Sequence, residues 1–141
     1  MTMPVRKAAK QAAPIFPPLA EFKFEAGPYV VPKVKIGSTV HDERFGDVVV
    51  EGFTEAPIVW PGFRCKRMGR HVGLMPILFD GLVRAVVEEN EIVVAHYWHV
   101  ARNTISLWKR ALAGCEDSNA VYMALALKRA EPAFRKKFGY K

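Results

Sequence analysis

Cysteine is scarce in this chain of 141 residues, which contains only Cys65 and Cys115. Their wide separation offers neither the paired cysteines of a zinc motif nor the dense spacing of a disulfide framework, so a reduced setting is expected. Long apolar runs are also missing. No run is long enough to cross a bilayer, and the N-terminal part lacks the continuous apolar centre of a secretory signal. We therefore expect a soluble, cytoplasmic protein.

Recognisable catalytic motifs are missing as well. The sequence has no Gly-rich phosphate loop, no CxxC pair and no nucleophile elbow. Metal-ligand spacing is absent from the four histidines, which are His41, His71, His96 and His99. We expect no cofactor, no bound metal and no enzymatic activity.

Positive charge is what the chain has in excess. Lys and Arg number 21 against 14 Asp and Glu, which gives a formal charge of +7. Basic proteins gain affinity for polyanions by releasing the counterions condensed on them. Half of the residues are apolar, enough to bury the core of one domain or of two small modules. The charge alone fits DNA, RNA or an acidic membrane surface.

The first part of the chain, residues 1–31, contains five prolines among Ala and basic residues. Proline at this density opposes a long helix and predicts an extended arm. The later part of the arm also contains four aromatic residues, which a freely solvated tail has little use for. We expect this part to lie across the folded body or a partner; the aromatic residues are Phe16, Phe22, Phe24 and Tyr29.

Residues 32–60 change to β-branched, short-period sequence, which predicts a small antiparallel β module. Strands are expected over residues 36–40 and 47–53, joined by a hairpin connection over 41–46 that ends in Gly46. Acidic residues outnumber basic ones in this segment. The module is therefore a poor primary site for phosphate.

Residues 61–77 reverse that sign and are interpreted as a basic connecting loop. Four cations occur here before any acidic residue, namely Arg64, Lys66, Arg67 and Arg70. Such a loop could follow a DNA backbone or enter a minor groove. The alternative is a basic surface linker whose charges balance the acidic strands.

Residues 78–114 predict three helices, which makes the fold class α+β. Asp80 is expected to cap a helix over 81–89, and Asn90 to cap the next, with Glu91 in its first turn. A third helix is expected over 102–112, ending before Gly114. Within 115–141, Ser118 is expected to start a C-terminal helix that runs to Pro132, followed by a basic tail.

The centre of the helical part is residues 93–112, VVAHYWHVARNTISLWKRAL. Two short helical periods with a break between them are predicted by the apolar positions Val94, Ala95, Trp98, Val100, Ile105 and Trp108. Their spacing resembles the buried positions of the helix-turn-helix DNA-binding superfamily. Two positions differ from that family, which favours Gly where His99 stands and Ser or Thr where Ala101 stands.

The resemblance implies a recognition helix that meets a duplex. With Ile105 and Trp108 facing inward, Arg102, Asn103 and Ser106 face outward and are expected to contact base edges. Lys109 and Arg110, with the four cations of residues 61–77, are expected to contact phosphates. The alternative is an ordinary amphipathic helical hairpin with a solvated polar face.

A looser resemblance covers most of residues 37–114. The segments APIVWP, FDGLVRAV, VVAHYWHV and LWKRALAG are similar to a group of uncharacterised bacterial proteins that join a small β module to a helix-turn-helix. These similarities favour a duplex-DNA-binding protein, a transcriptional regulator or a recombination or mobile-element accessory factor, with no membrane partner. Two alternatives stay open: a structural RNA-binding or assembly protein of a ribonucleoprotein complex, and a protein-interaction subunit. The oligomeric state is not indicated.

Overall fold

The computed structural model of the protein describes residues 16–67 and 70–140, with the side chains of 65–67 and 70–72 left aside. After a single 3₁₀ turn at Leu19–Glu21, this part of the chain contains strands followed by α-helices, so the predicted α+β class is confirmed. The strands are β1 (Thr39–Asp42), β2 (Gly46–Val49), β3 (Gly52–Phe53), β4 (Pro61–Arg67) and β5 (Arg70–Pro76). The helices are α1 (Gly81–Glu88), α2 (Glu91–Trp98), α3 (Arg102–Ala113), α4 (Ser118–Ala130) and α5 (Pro132–Lys137).

Two antiparallel sheets form the β module. β1 and β2 form the expected hairpin, in which Asp42 lies opposite Gly46. The single strand predicted over 47–53 is instead divided between the two sheets, because the backbone changes partner in its middle. Val50 N–H donates to Ser38 O at 2.8 Å, whereas Glu51 N–H donates to Gly62 O at 2.9 Å.

The connecting loop predicted over residues 61–77 is wrong, since this segment forms a hairpin of β4 and β5. The alternation of buried and exposed side chains typical of a strand is present but is hard to recognise among the cations. Phe63 is buried and the next residue, Arg64, is exposed. Gly62, which looks like a turn signal, is a strand residue. A Cβ there would lie 2.9 Å from Met75 O, so close pairing of the strands requires glycine.

Helix bounds agree with the prediction to within one residue for α1 and α3, and α4 ends before Pro132 as expected. The cap expected at Asp80 is different. Asp80 does precede α1, but its φ of 53° and ψ of −136° lie outside the extended conformation that capping residues use, and its side chain makes no cap hydrogen bond.

The aromatic residues of the arm pack on α2, which confirms that this part lies across the folded body. The Phe16 ring stacks on His96 with centroids 4.5 Å apart, and Phe22 lies 4.9 Å from Tyr97. The Tyr97 hydroxyl donates to Pro17 O at 2.6 Å. These rings are therefore part of the protein's own core.

Glu89, directly after α1, anchors the arm through its buried carboxylate. This carboxylate accepts the N–H of Glu25 at 3.0 Å and of Ala26 at 2.8 Å, and the Tyr29 hydroxyl at 2.7 Å. Burial, and after it the hydrogen bond to Glu89, raises the pKa of Tyr29 above its usual range. The tyrosine hydroxyl thus remains a donor under ordinary conditions.

Arg84 holds both ends of the described chain to α1. Its guanidinium donates to Pro28 O at 2.8 Å and to Phe138 O at 2.6 Å. The basic tail expected after α4 is not a free extension over residues 132–140, because it begins with α5 and packs against the core. Phe138 is buried and Tyr140 donates to a Glu88 carboxylate oxygen at 2.9 Å, because the aromatic residues of this segment pack against the core.

Asp42 joins the β1–β2 hairpin to the helical part. It is fully buried, and its carboxylate accepts the N–H of Arg44 at 2.6 Å, of Phe45 at 3.1 Å and of Leu78 at 2.9 Å. The Arg44 guanidinium returns to the same carboxylate at 3.0 Å and lies 5.2 Å from the ring centroid of Trp108 in α3. The buried carboxylate of Asp42 thus holds the β1–β2 turn, the backbone of Leu78 just before α1, and the Arg44 guanidinium that lies over Trp108 of α3.

Replacing Asp42 with Ala should lower the free energy of unfolding by about 3 kcal/mol, because it leaves a buried guanidinium and backbone donors without their acceptor. Urea denaturation of the full chain measures this change. Asp47→Ala removes an exposed carboxylate from neighbouring β2 and should change stability by less than about 0.5 kcal/mol. Equal losses in the two variants would contradict the anchoring role.

Tyr29 should make stability fall at alkaline pH. Its pKa is raised on folding, so its contribution is complete below the unfolded value of about 10 and is lost as pH rises towards the folded value. Tyr29→Phe should cost about 1 kcal/mol at neutral pH and should reduce the fall above pH 10. Urea denaturation across this range measures both effects, with the exposed Tyr122→Phe as the control. An unchanged alkaline slope in Tyr29→Phe would be the contrary result.

Candidate nucleic-acid interface

α2 and α3 are joined by a turn of three residues, 99–101. Asn90 caps α2 as expected, accepting Ile92 N–H at 2.8 Å. His99 ends α2 in the left-handed conformation that favours glycine, with φ 61° and ψ 52°. Ala101 precedes α3 without a side-chain cap.

The core between α2 and α3 contains the predicted apolar residues. Val94 and Trp98 of α2, and Ile105 and Trp108 of α3, are fully buried. The Trp98 ring contacts Trp60 edge to face, at 5.9 Å between centroids, which ties the helix pair to the β module. The orientation of α3 about its own axis is thereby fixed.

The opposite side of α3 is cationic. The twelve residues of α3 include three cations, Arg102, Lys109 and Arg110, and no carboxylate. Arg102, Asn103 and Arg110 are exposed. Arg102 is already paired: its Nη2 lies 2.6 Å from Glu91 Oε1, at the start of α2.

Ser106 and Lys109 are half-buried because α4 packs along this flank of α3. The two helices form a groove of about 410 Å³. Within the described residues, no ion pair engages Lys109, Arg110 or Arg129 of this groove, although Glu91 lies at its edge. Its polar walls are Ser106, Lys109 and Arg110 on α3, and Ser118, Tyr122 and Arg129 on α4.

Sequence reasoning missed the contribution of α4. The positions Ser118, Tyr122 and Arg129 fall on one stripe at helical spacing, so the signal was in the sequence. Nothing in the pattern of α4 alone indicates that this stripe borders α3. Only the packing of the two helices brings the stripe beside the predicted recognition face.

The β4–β5 hairpin contains the other residues that the sequence predicts to contact phosphate. The Arg64 side chain is exposed, and its backbone N–H donates to Glu51 Oε2 at 2.8 Å. Arg64 also lines a shallow cavity together with His99 of the α2–α3 turn. The sheet thus adjoins the helix pair. Lys66, Arg67 and Arg70 lie at the far end of the hairpin, where Arg67 is opposite Arg70. Their side chains lie outside the part of the structure that is described.

Comparison of the chain with protein-family models, with curated proteins and with solved structures finds no match. Over residues 16–67 and 70–140, no group of three or more His, Cys, Asp and Glu could hold a metal ion. None of the helices described is long and apolar enough to cross a membrane.

His99→Gly should stabilise the protein by up to about 1 kcal/mol, since glycine adopts the left-handed conformation without the Cβ penalty. Thermal or urea denaturation measures the gain. His99→Ala keeps the Cβ while removing the imidazole, and it should give no gain. A stabilisation of equal size in both variants would show that the imidazole, not the backbone angle, is the source.

Proposed function

We propose that this protein binds duplex DNA, with α2 and α3 acting as a helix-turn-helix and α3 entering the major groove. The observation that supports this most is the two-sided character of α3. Ile105 and Trp108 are fully buried on one side, while the other side is cationic and contains no carboxylate. A major groove about 12 Å wide accepts one such helix.

Base contacts are assigned to the first half of α3. An exposed Asn103 amide matches the paired donor and acceptor of adenine, and the Arg102 guanidinium matches those of guanine. Ser106 lines the groove between α3 and α4 and is less exposed than Asn103. We therefore assign it a single hydrogen bond to a base edge.

Phosphate contacts are assigned to Lys109 and Arg110 on α3 and to the hairpin cations Arg64, Lys66, Arg67 and Arg70. A basic β ribbon beside a recognition helix is able to follow the backbone or enter a groove. A transcriptional regulator or a recombination accessory factor, acting in the cytoplasm, would use these contacts.

A structural RNA-binding protein would use aromatic side chains near the termini to stack on bases. In the structure these rings pack inward: Phe22 and Phe24 contact Tyr97, and Phe138 is buried. They are not available as a platform on which bases stack. Duplex DNA is therefore the proposed ligand, and structured RNA serves as the competitor in the binding test.

A salt titration of binding to duplex DNA, with structured RNA as competitor, tests the proposal. We expect the affinity to fall steeply with salt, by about 0.9 logarithmic units per tenfold rise in salt concentration for each phosphate neutralised. We also expect the protein to bind duplex DNA more tightly than structured RNA. Asn103→Ala should alter the preference among duplex sequences, while Arg110→Gln should weaken binding to all sequences alike and lower the slope by about 1.

Lys35→Gln is the matched control for Arg110→Gln, because it removes an exposed cation from the segment before β1. It should leave the slope nearly unchanged. Preference for RNA, or uniform loss from both Asn103→Ala and Arg110→Gln, would contradict base reading by α3.

A further inference from the structure

The packing of α4 beside α3 restricts how a duplex approaches. A helix with its side chains is about 10–12 Å across, which fills the major groove of about 12 Å. Packed helices lie about 8–10 Å apart, so α4 has no room to enter the same groove. With α3 inside, α4 comes to lie over one of the two sugar-phosphate strands that form the groove's walls.

The side of α4 that faces this position is suited to phosphate. Arg129 is exposed, and its guanidinium makes no ion pair with any described residue. Tyr122 is 74% exposed, and its hydroxyl has no hydrogen-bond partner in the described part of the chain. Arginine and hydroxyl groups are common donors to phosphate oxygens.

The groove between the helices has a favourable charge. Arg129 on α4 lies opposite Lys109 and Arg110 on α3, and the one carboxylate at the edge, Glu91, already accepts from Arg102. Three cations and one engaged acid leave the groove positive. An anionic strand is its natural occupant.

We propose that the groove between α3 and α4 binds one sugar-phosphate strand of duplex DNA, with Arg129 and Tyr122 contacting phosphates beside the base pairs that α3 reads. This rests on the proposed function and adds α4 as a second DNA-contacting helix. Contacts from both walls fix the depth and rotation of α3 in the major groove, and so position Asn103 against its base.

Two adjacent cations of α4 provide a matched test. Arg129 faces the groove, whereas Lys128 faces α5, with its Nζ 6.0 Å from the Phe134 ring centroid. Arg129→Gln in the full chain should weaken duplex binding about threefold or more and lower the salt slope by about 0.9. Lys128→Gln makes the same charge change and should have little effect on either quantity.

Tyr122→Phe gives an independent measurement. It removes the hydroxyl without changing charge, so affinity should fall about threefold with the salt slope unchanged. Circular dichroism and urea denaturation verify that each variant folds as the parent does, which the exposure of both positions favours.

The contrary results are distinct. Equal slope losses in Arg129→Gln and Lys128→Gln would indicate a general field of positive charge and overturn the site. Unchanged binding in Arg129→Gln and Tyr122→Phe, with Arg110→Gln still weakened, would overturn the role of α4 while the function of α3 stands. A parent protein that binds no duplex would overturn both.

Discussion

The buried carboxylate of Asp42 is the interaction on which the arrangement of the molecule depends. A charge with no solvent contact is tolerated only when it is paired and fully hydrogen-bonded, and Asp42 has four donors within 3.1 Å. Those donors come from the β1–β2 turn and from the start of the helical part at Leu78. Because Arg44 both neutralises Asp42 and covers Trp108, the position of α3 follows from the same contact. The β module is thus the support of the helix pair rather than a separate appendage.

The internal use of carboxylates explains how a cationic surface forms on α3 and α4. Around the helices, Glu88 accepts from Tyr140, Glu89 holds the arm, and Glu91 pairs with Arg102. These acids follow each other closely in sequence, which makes α1 and α2 look acidic, yet their charges are directed to contacts within the protein. Among the cations of α3 and α4, Lys109, Arg110 and Arg129 have no ion-pair partner in the described residues, whereas Arg102 pairs with Glu91. The groove that these three unpaired cations line is therefore positive, which favours an anionic ligand there.

Local pattern predicted much of this structure, and long-range contact decided the rest. Helical spacing identified α1 to α3 and the buried positions Trp98 and Trp108, whereas α4 was predicted from the residues at its ends, Ser118 and Pro132. The left-handed turn at His99 was implied by the helix-turn-helix resemblance, in which Gly stands at that position. The β4–β5 hairpin was missed because its cations obscured the alternation around Phe63, and because Gly62 serves a close strand contact rather than a turn. The groove was missed for a different reason. Which flank of α3 receives α4 depends on core packing, which the pattern of either helix alone does not contain.

The pairing of Arg102 with Glu91 bears on how α3 could discriminate between sequences. The pair is largely exposed, with 62% of the Arg102 side chain accessible, and such pairs contribute only about 0–1 kcal/mol. A good two-point contact of Arg with guanine is worth about 1–3 kcal/mol of discrimination against the wrong base. In the proposed complex, Arg102 exchanges Glu91 for guanine, and stays with Glu91 where another base stands. The released carboxylate remains in the first turn of α2, where the helix dipole stabilises it. Because the pair with Glu91 is broken only at guanine, it lowers the affinity for the right site slightly, and the discrimination that remains comes from the two hydrogen bonds to guanine.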